Sequence, residues 1–169
     1  MGGEQVLVRD AEIADLSAVF EIYNHEVVHS VSTFDTELRD PATDEAWLTG
    51  REARYPVLVA VRRDELLGWG ALSQWSPRGA YARTAEVSVY VDHRHRKEGV
   101  GRLLLGALIE RAPAGGIAVL LARVTGENPA SVALHEGLGF NRIGTQRRSG
   151  EKFGQVLDVA LLDLHLDER

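Results

Sequence analysis

The stretch Ser88-Val-Tyr-Val-Asp-His-Arg-His-Arg96-Lys-Glu-Gly99-Val-Gly101-Arg-Leu-Leu104 says most about how this chain folds. An apolar, β-branched run passes through a polar turn into two glycines and then into an apolar-periodic helix. Glycines at such a strand–helix junction let main-chain N–H groups approach a ligand closely, and the helix N-terminus adds partial positive charge. That combination suits a diphosphate. No Gly-Lys-Ser/Thr follows, so it is not a Walker A loop. The dinucleotide fingerprint is absent too, since it needs a third glycine and an acidic partner at a set distance. Taken alone, the two glycines also fit a tight turn that only serves packing.

Upstream, Gln5–Arg9 reads as an opening strand. From about Glu12 to His29, Ile13, Leu16, Phe20, Tyr23 and Val27 recur at steps of three or four and predict a helix. Asp40 as N-cap and Pro41 at the first helical position predict a second helix to about Arg54. Val57–Arg62 and Leu66–Gln74 form a hairpin across Arg62-Arg63-Asp64-Glu65, and Thr84–Val91 is a further strand.

Downstream, Gly99–Ala112 is a helix ended by Gly115-Gly116, and Ile117–Val124 is an apolar run typical of a buried strand. Asn128-Pro129 opens a last helix that stops near Gly137 and Gly139. Phe140 to Leu166 reads as two strands around Ser149-Gly150-Glu151. The order is β-α-α-β-β-β-α-β-α-β-β, with no repeat or linker, and predicts one mixed α/β domain over residues 1–169.

A length of 169 residues suffices for one buried core. The formal net charge of −6 argues against a general nucleic-acid binder, which shows a basic footprint. There is no cysteine, so no disulfide, Cys-ligated metal or protein thiol nucleophile is available. The six histidines show no metal-ligand spacing, and no metal is expected. Met1-Gly-Gly-Glu-Gln lacks a charged region followed by an apolar one, so no signal peptide is read. No apolar run approaches the roughly 20 residues of a membrane span. The expectation is a cytoplasmic protein without a membrane partner.

The Arg96–Gly101 turn resembles the Gln/Arg-x-x-Gly-x-Gly/Ala signature of the GNAT N-acetyltransferases. The family's second signature is an Asn opening a helix, then a hydroxyl or aromatic residue, then Gly-Phe. Asn128-Pro-Ala-Ser131-Val-Ala-Leu-His135-Glu-Gly-Leu-Gly139-Phe140 is similar to it. Within the superfamily the chain resembles the phosphinothricin and methionine sulfone/sulfoximine acetyltransferase group. Ile22-Tyr-Asn-His25, Ser32-Thr-Phe-Asp-Thr-Glu37, Tyr55-Pro-Val-Leu-Val59, Ser88-Val-Tyr-Val91 and Lys152-Phe-Gly154 carry that likeness from about Val8 to Leu166. There are departures: Val87 replaces a usual His, His93 a Pro and Lys97 a Gly, Glu98 stands at a usually basic position, and Gln155-Val156 replaces a nearby Trp.

The resemblance implies a GNAT fold: a mixed, mostly antiparallel sheet of about seven strands flanked by about four helices. It implies acetyl-CoA as cosubstrate and a small amino-acid-like amine as acceptor. It places Arg96, Lys97, Glu98, Gly99, Val100 and Gly101 at the pyrophosphate, with Arg102, Leu103 and Leu104 in the next turn. Val89, Val91, Asp92 and His93 fall on a strand that splays from its neighbour, and Asn128 and Ser131 on the pantetheine side.

Acetyl transfer to an amine needs a neutral nitrogen and a proton for the departing thiolate. The resemblance points to Glu86 as the base, directly or through water. An ion pair with an arginine on the sheet face is the other use for that carboxylate. His135 stands where many GNAT enzymes carry a Tyr thought to protonate the thiolate, and it is the candidate acid if protonated. Around the acceptor the resemblance places Arg78, Gly79 and Ala80 on one side and Ser88, Val89 and Tyr90 on the other. Arg78 or Arg83 would grip a carboxylate, and Phe34 and Phe153 would be walls. A homodimer follows by analogy. Two other readings stay open: a protein N-terminal or lysine acetyltransferase, and a non-catalytic acyl-CoA sensor.

Overall fold

The computed structural model describes residues 5–126 and 128–167. Residues 1–4, on which the absence of a signal peptide was read, lie outside the described residues. The strands are β1 (Leu7–Asp10), β2 (Val57–Arg62), β3 (Glu65–Gln74), β4 (Thr84–Val91), β5 (Val119–Thr125), β6 (Asn141–Lys152) and β7 (Gln155–His165). The helices are α1 (Leu16–His29), α2 (Ala46–Thr49), α3 (Val100–Arg111) and α4 (Pro129–Glu136). The sheet runs β1-β2-β3-β4-β5-β7-β6, and its one parallel pair is β4–β5. This is the α/β GNAT fold expected from the sequence.

Alternation along the strands sends side chains to two faces. One face packs on α3: Val87, Leu120, Ala122 and Val124 meet Val100, Leu104, Leu105 and Leu108, all buried. Each such Val or Leu side chain contributes roughly 1.5–3 kcal/mol of hydrophobic stabilisation. The other face packs on α1, where Leu16, Val19 and Phe20 meet Val57, Val59 and Trp69.

Two glycines of β3 bring α3 down onto the sheet. A Cβ at Gly68 would meet the Val100 and Leu104 side chains at 3.2 Å, and one at Gly70 would meet Leu108 at 2.8 Å. Larger residues there would push the helix away and move its N-terminus off the end of β4.

The helix expected from Asp40 to Arg54 forms only as the single turn α2. Asp40 builds a local turn instead of capping a helix: its carboxylate accepts the Ala42 N–H at 2.9 Å, and its own N–H goes to Asp44 Oδ2 at 3.1 Å. Short acidic side chains thus compete for the amides that a helix would have used.

The last two strands also differ from the reading. Ser149-Gly150-Glu151 is not the turn but part of an irregular stretch within β6, where the register shifts between Gln146 and Gly150 and Arg148 adopts φ 54°. The chain reverses at Phe153-Gly154, both left-handed, at φ 52° and 72°. Two successive residues with φ > 0 match the twist of flanking strands, as in a two-residue hairpin. Gly150 leaves room for the Phe34 ring, into which any Cβ at that position would run.

Candidate active site

Strands β4 and β5 pair only at Thr84↔Val119, Ala85↔Leu120 and Glu86↔Leu121. Beyond Glu86 they part, each keeping its outer neighbour: β4 stays on β3 out to Val91↔Gly68, and β5 stays on β7 out to Thr125↔Val159. The inner edges of Val87–Val91 and Ala122–Thr125 therefore lose their ladder partners. Unpaired main-chain groups need another partner, and a ligand lying in the fork supplies one.

A cleft of about 460 Å³ fills this fork, lined by Val87–Val91, Arg123–Thr125, the Arg96–Arg102 region and the start of α4. At its far end α3 begins. Gly99, the N-cap, sits at φ 85° with open space where a Cβ would be, and no side chain caps the helix. The first-turn amides of α3 have no carbonyl one turn back within the helix to bond to. A CoA diphosphate fits there, matching the orphaned amides, the helix dipole and the space beside Gly99. Lys97, at the position where the resemblance implies Gly, takes φ 66°. A lysine thus holds a left-handed conformation that glycine adopts without strain.

Of the residues expected at the cofactor, Val89, Val91, Arg96, Lys97, Gly99, Val100, Gly101, Arg102, Asn128 and Ser131 line this cleft. Five others do not. Asp92 is buried and caps the turn after β4, and Arg94 beside it lowers its carboxyl pKa to about 2. His93 stacks on His25 of α1 at 3.9 Å. Glu98 pairs with Arg62 at 3.0 Å and lies 3.1 Å from His95. Leu103 is exposed and Leu104 is in the core under α3. Leu103 and Leu104 fall on other sides of α3, whereas Asp92, His93 and Glu98 precede the helix and are held by the partners just named. Asn128 does cap α4, its Oδ1 accepting the Ser131 N–H at 3.0 Å, while also lining the cleft.

Glu86 stands at the fork, on the last rung that β4 shares with β5; it is not among the residues lining the cleft, and it makes the ion pair that was its other expected use. Its two carboxylate oxygens accept from Nε and Nη2 of Arg123, each at 2.7 Å, and that guanidinium lies 5.5 Å over the Trp75 ring. Arg123 was not singled out from the sequence. The available signal was a charge inside the apolar run Val-Leu-Leu-Ala-Arg-Val, which requires a partner on an adjacent strand.

His135 is buried, packed edge-on against Phe140 at 5.1 Å, and its Nδ1–H donates to the Ser131 carbonyl at 2.8 Å. Burial pushes its pKa down, so the neutral tautomer is favoured and Nε2 is a proton acceptor. The sign for stability follows. Below the unfolded value of 6.5 the unfolded chain binds this proton more readily than the folded one, so the site costs stability as pH falls. We expect Tm to drop as pH falls through about 6.5, and His135→Gln to flatten part of that slope. A melting series with identical slopes for parent and variant would locate the effect elsewhere.

On the α1 face of the fork lie Ser88 and Tyr90, both in the cleft lining. Tyr90 stacks on Trp69 at 4.9 Å and meets Tyr23 edge-on at 5.1 Å; burial raises its hydroxyl pKa. Tyr23 rises to about 12, mainly from burial and also from Asp35, whose Oδ2 accepts its O–H at 2.5 Å. Both tyrosines are therefore neutral donors at physiological pH. Two further groups had been given no role from the sequence. Glu26 is buried at the end of α1, bonded to Ser30 at 2.5 Å and paired with Arg96, and it lines the cleft. Lys152 is buried with its Nζ donating to the Thr33 carbonyl at 2.8 Å, and burial pushes its pKa down.

The remaining expected acceptor residues lie apart from the cleft. Arg78, Gly79 and Ala80 are exposed on the loop between β3 and β4. Arg83 is paired with Asp167 at 2.7 Å. Phe34 packs against Gly150, and Phe153, 57% exposed, borders a second hollow of about 290 Å³ with Val27, Thr36 and Lys152. Among the described residues no cluster of His, Asp or Glu is placed to hold a metal, and no helix is long and apolar enough to cross a membrane.

A parallel pair that forks beside a glycine-bounded helix N-terminus defines an enzyme class that holds acyl-CoA between two strands. The chain belongs to the acetyltransferase (GNAT) family, whose sequence profile matches residues 16–140. It is an N-acetyltransferase that uses acetyl-CoA. It is 40% identical over 162 residues to the L-methionine sulfoximine/L-methionine sulfone acetyltransferase of Pseudomonas paraeruginosa, covering 95% of this chain and 94% of that protein. It is 38% identical over 157 residues to the phosphinothricin N-acetyltransferase of Streptomyces viridochromogenes, covering 91% of this chain and 84% of the relative. Among solved structures, an acetyltransferase from Salmonella typhimurium in complex with acetyl-CoA superposes with a TM-score of 0.93. The two chains are 36% identical, with 97% of this chain and 95% of that one covered.

Proposed function

We propose that the chain acetylates the α-amino group of a small amino acid of the methionine sulfone, methionine sulfoximine or phosphinothricin type. The observation that carries this reading is the fork at Glu86/Leu121, which brings a donor cleft and a charged pair together at one point. On the α3 side, main-chain amides and apolar walls suit the CoA moiety. On the α1 side, Glu86, Arg123, Ser88 and Tyr90 suit a small polar acceptor. The acceptors named for the two relatives support the class of substrate.

In this reading Glu86 binds the acceptor ammonium and directs one of its protons to water. The freed nitrogen attacks the acetyl carbonyl carbon, the C–S bond breaks, and the thiolate takes up the second proton lost by nitrogen. Unpaired main-chain groups of Val89–Val91 steady the carbonyl oxygen as charge develops. His135, neutral at rest, takes up a proton at Nε2 before it delivers one to sulfur. The protein works as a homodimer in the cytoplasm.

The test is CoA thiol release over a panel containing L-methionine sulfone, phosphinothricin, a polyamine and a short peptide. Turnover is expected with the first two at the highest kcat/KM. Preference for the peptide would promote protein acetylation in its place. Acetyl-CoA binding without CoA release from any amine would make the chain a sensor.

A further inference from the structure

Arg123 has a geometry that an ion-pair brace does not require. Leu120, Ala122 and Val124 of β5 point into the core, so Arg123 and Thr125 project to the opposite face, which β4 shares through Glu86, Ser88 and Tyr90. Arg123 stands two residues beyond the last rung that β5 shares with β4, where both strands already have outer partners. Its side chain is 48% exposed and lines the cleft.

A guanidinium has five N–H donors. Arg123 spends two, along its Nε–Nη2 edge, on the oxygens of Glu86. Its terminal Nη1–Nη2 edge has no partner among the described residues, and the guanidinium carbon lies 5.5 Å from the centre of the Trp75 ring. That edge forms the two parallel bonds by which arginine takes a carboxylate. Glu86 in turn keeps lone pairs, because a carboxylate accepts about four hydrogen bonds and Arg123 uses two.

The pair therefore offers a cationic edge and an anionic edge side by side. An α-amino acid offers the complement, an ammonium and a carboxylate on one carbon. The other cationic side chains lining the cleft, His95, Arg96, Lys97 and Arg102, stand around the α3 N-terminus; His95 is held between Glu65 and Glu98, and Arg96 is already paired with Glu26. Arg83 is taken by Asp167, and Arg78 stands on an exposed loop outside the cleft lining.

We propose that Arg123 is the acceptor-binding residue that reads the α-carboxylate, while it holds Glu86 in place for the ammonium. The site thereby selects zwitterionic α-amino acids over amines and amides. This rests on the small-amino-acid reading above.

The experiment compares kcat/KM for L-methionine sulfone with that for its carboxamide, which keeps the amine and side chain and loses the negative charge. The amide's amine also ionises less readily, so the ratio is compared between parent and variants rather than read alone. The parent should favour the acid by roughly ten- to a hundred-fold. Arg123→Gln should bring the two substrates within about threefold, and Arg123→Lys, which keeps the charge and loses the fork, should fall between. Arg78→Ala should keep the parental ratio.

Equal slowing of acid and amide in Arg123→Gln, with the ratio intact, would reduce Arg123 to a brace for Glu86 and overturn the proposal. So would a parental ratio in Arg123→Lys, which also decides the matter if the glutamine variant does not fold. Failure of the underlying reading shows separately and earlier. The parent itself would then release CoA with neither substrate, or with both equally, and the role for Arg123 would fall with it.

Discussion

Glu86→Gln is expected to lower kcat by a factor of roughly 10²–10⁴ while leaving acetyl-CoA affinity close to that of the parent. The amide keeps the shape of the side chain and one acceptor for Arg123, so the pair across the fork is weakened rather than removed. What is lost is the charge that, in the proposed mechanism, binds the ammonium and draws off its proton. An amino acid's amine is almost wholly protonated at neutral pH, and its neutral fraction rises about tenfold per pH unit below its pKa. Raising the pH should therefore recover much of the rate in the variant and little in the parent. Pre-steady-state release of CoA thiol across that pH range would check both parts. Parental turnover at neutral pH would move proton removal to another group. A variant that melts far below the parent would make Glu86 a structural anchor of β4 and β5, and the ordinary worth of a part-exposed ion pair, about 0–1 kcal/mol, argues against that outcome.

The second large effect is expected at Gly99. Acetyl-CoA at a hundredfold excess over Kd should stabilise the parent by ~2.7 kcal/mol, and acetate should not. Gly99→Val should abolish that gain. Gly99 takes φ 85°, which a β-branched residue adopts only with strain, so the turn would reshape and its amides would swing off the diphosphate. The added methyls would also fill the open space beside the N-cap. Gly101→Val acts differently. Its Cβ meets Leu134 at 3.2 Å, so α4 would be pushed from α3 and the second signature would move with it. Thermal melting with and without acetyl-CoA reads both. A parent protein that shows no shift would sink the assignment of the cleft.

The sheet, α1, α3 and α4 were legible because each depends on a local period or a local cap. Val100, Leu104 and Leu108 repeat at helical spacing whatever surrounds them, and Asn128-Pro129 marks a helix start by the geometry of its own side chain. The long helix expected after Asp40 was not legible. Asp40 and Asp44 are good caps and equally good turn formers, and the choice between these depends on which amides the rest of the structure leaves free. The hairpin reversal at Phe153-Gly154 was missed for a related reason. Phe is an unusual residue at positive φ, whereas Ser-Gly is a common turn, and the Phe34 ring beside Gly150 makes that glycine part of a strand.

The CoA side of the site is written locally. Amides from Gly99 onward are left free for the proposed diphosphate because consecutive residues form a helix start, so residue order alone determined it. The proposed acceptor side is assembled from segments far apart in the chain. Glu86 meets Arg123 only because β4 and β5 run parallel for three rungs and then part. Arg83 leaves the site because a tail residue 84 positions away claims it. His135 sits where the second signature puts it, yet its neutral state comes from burial against Phe140 and a bond to the Ser131 carbonyl. Sequence carries the identity of a charged group but not its partner. Partners decide protonation and aim, because desolvation and Coulomb terms depend on distances that only the tertiary structure provides.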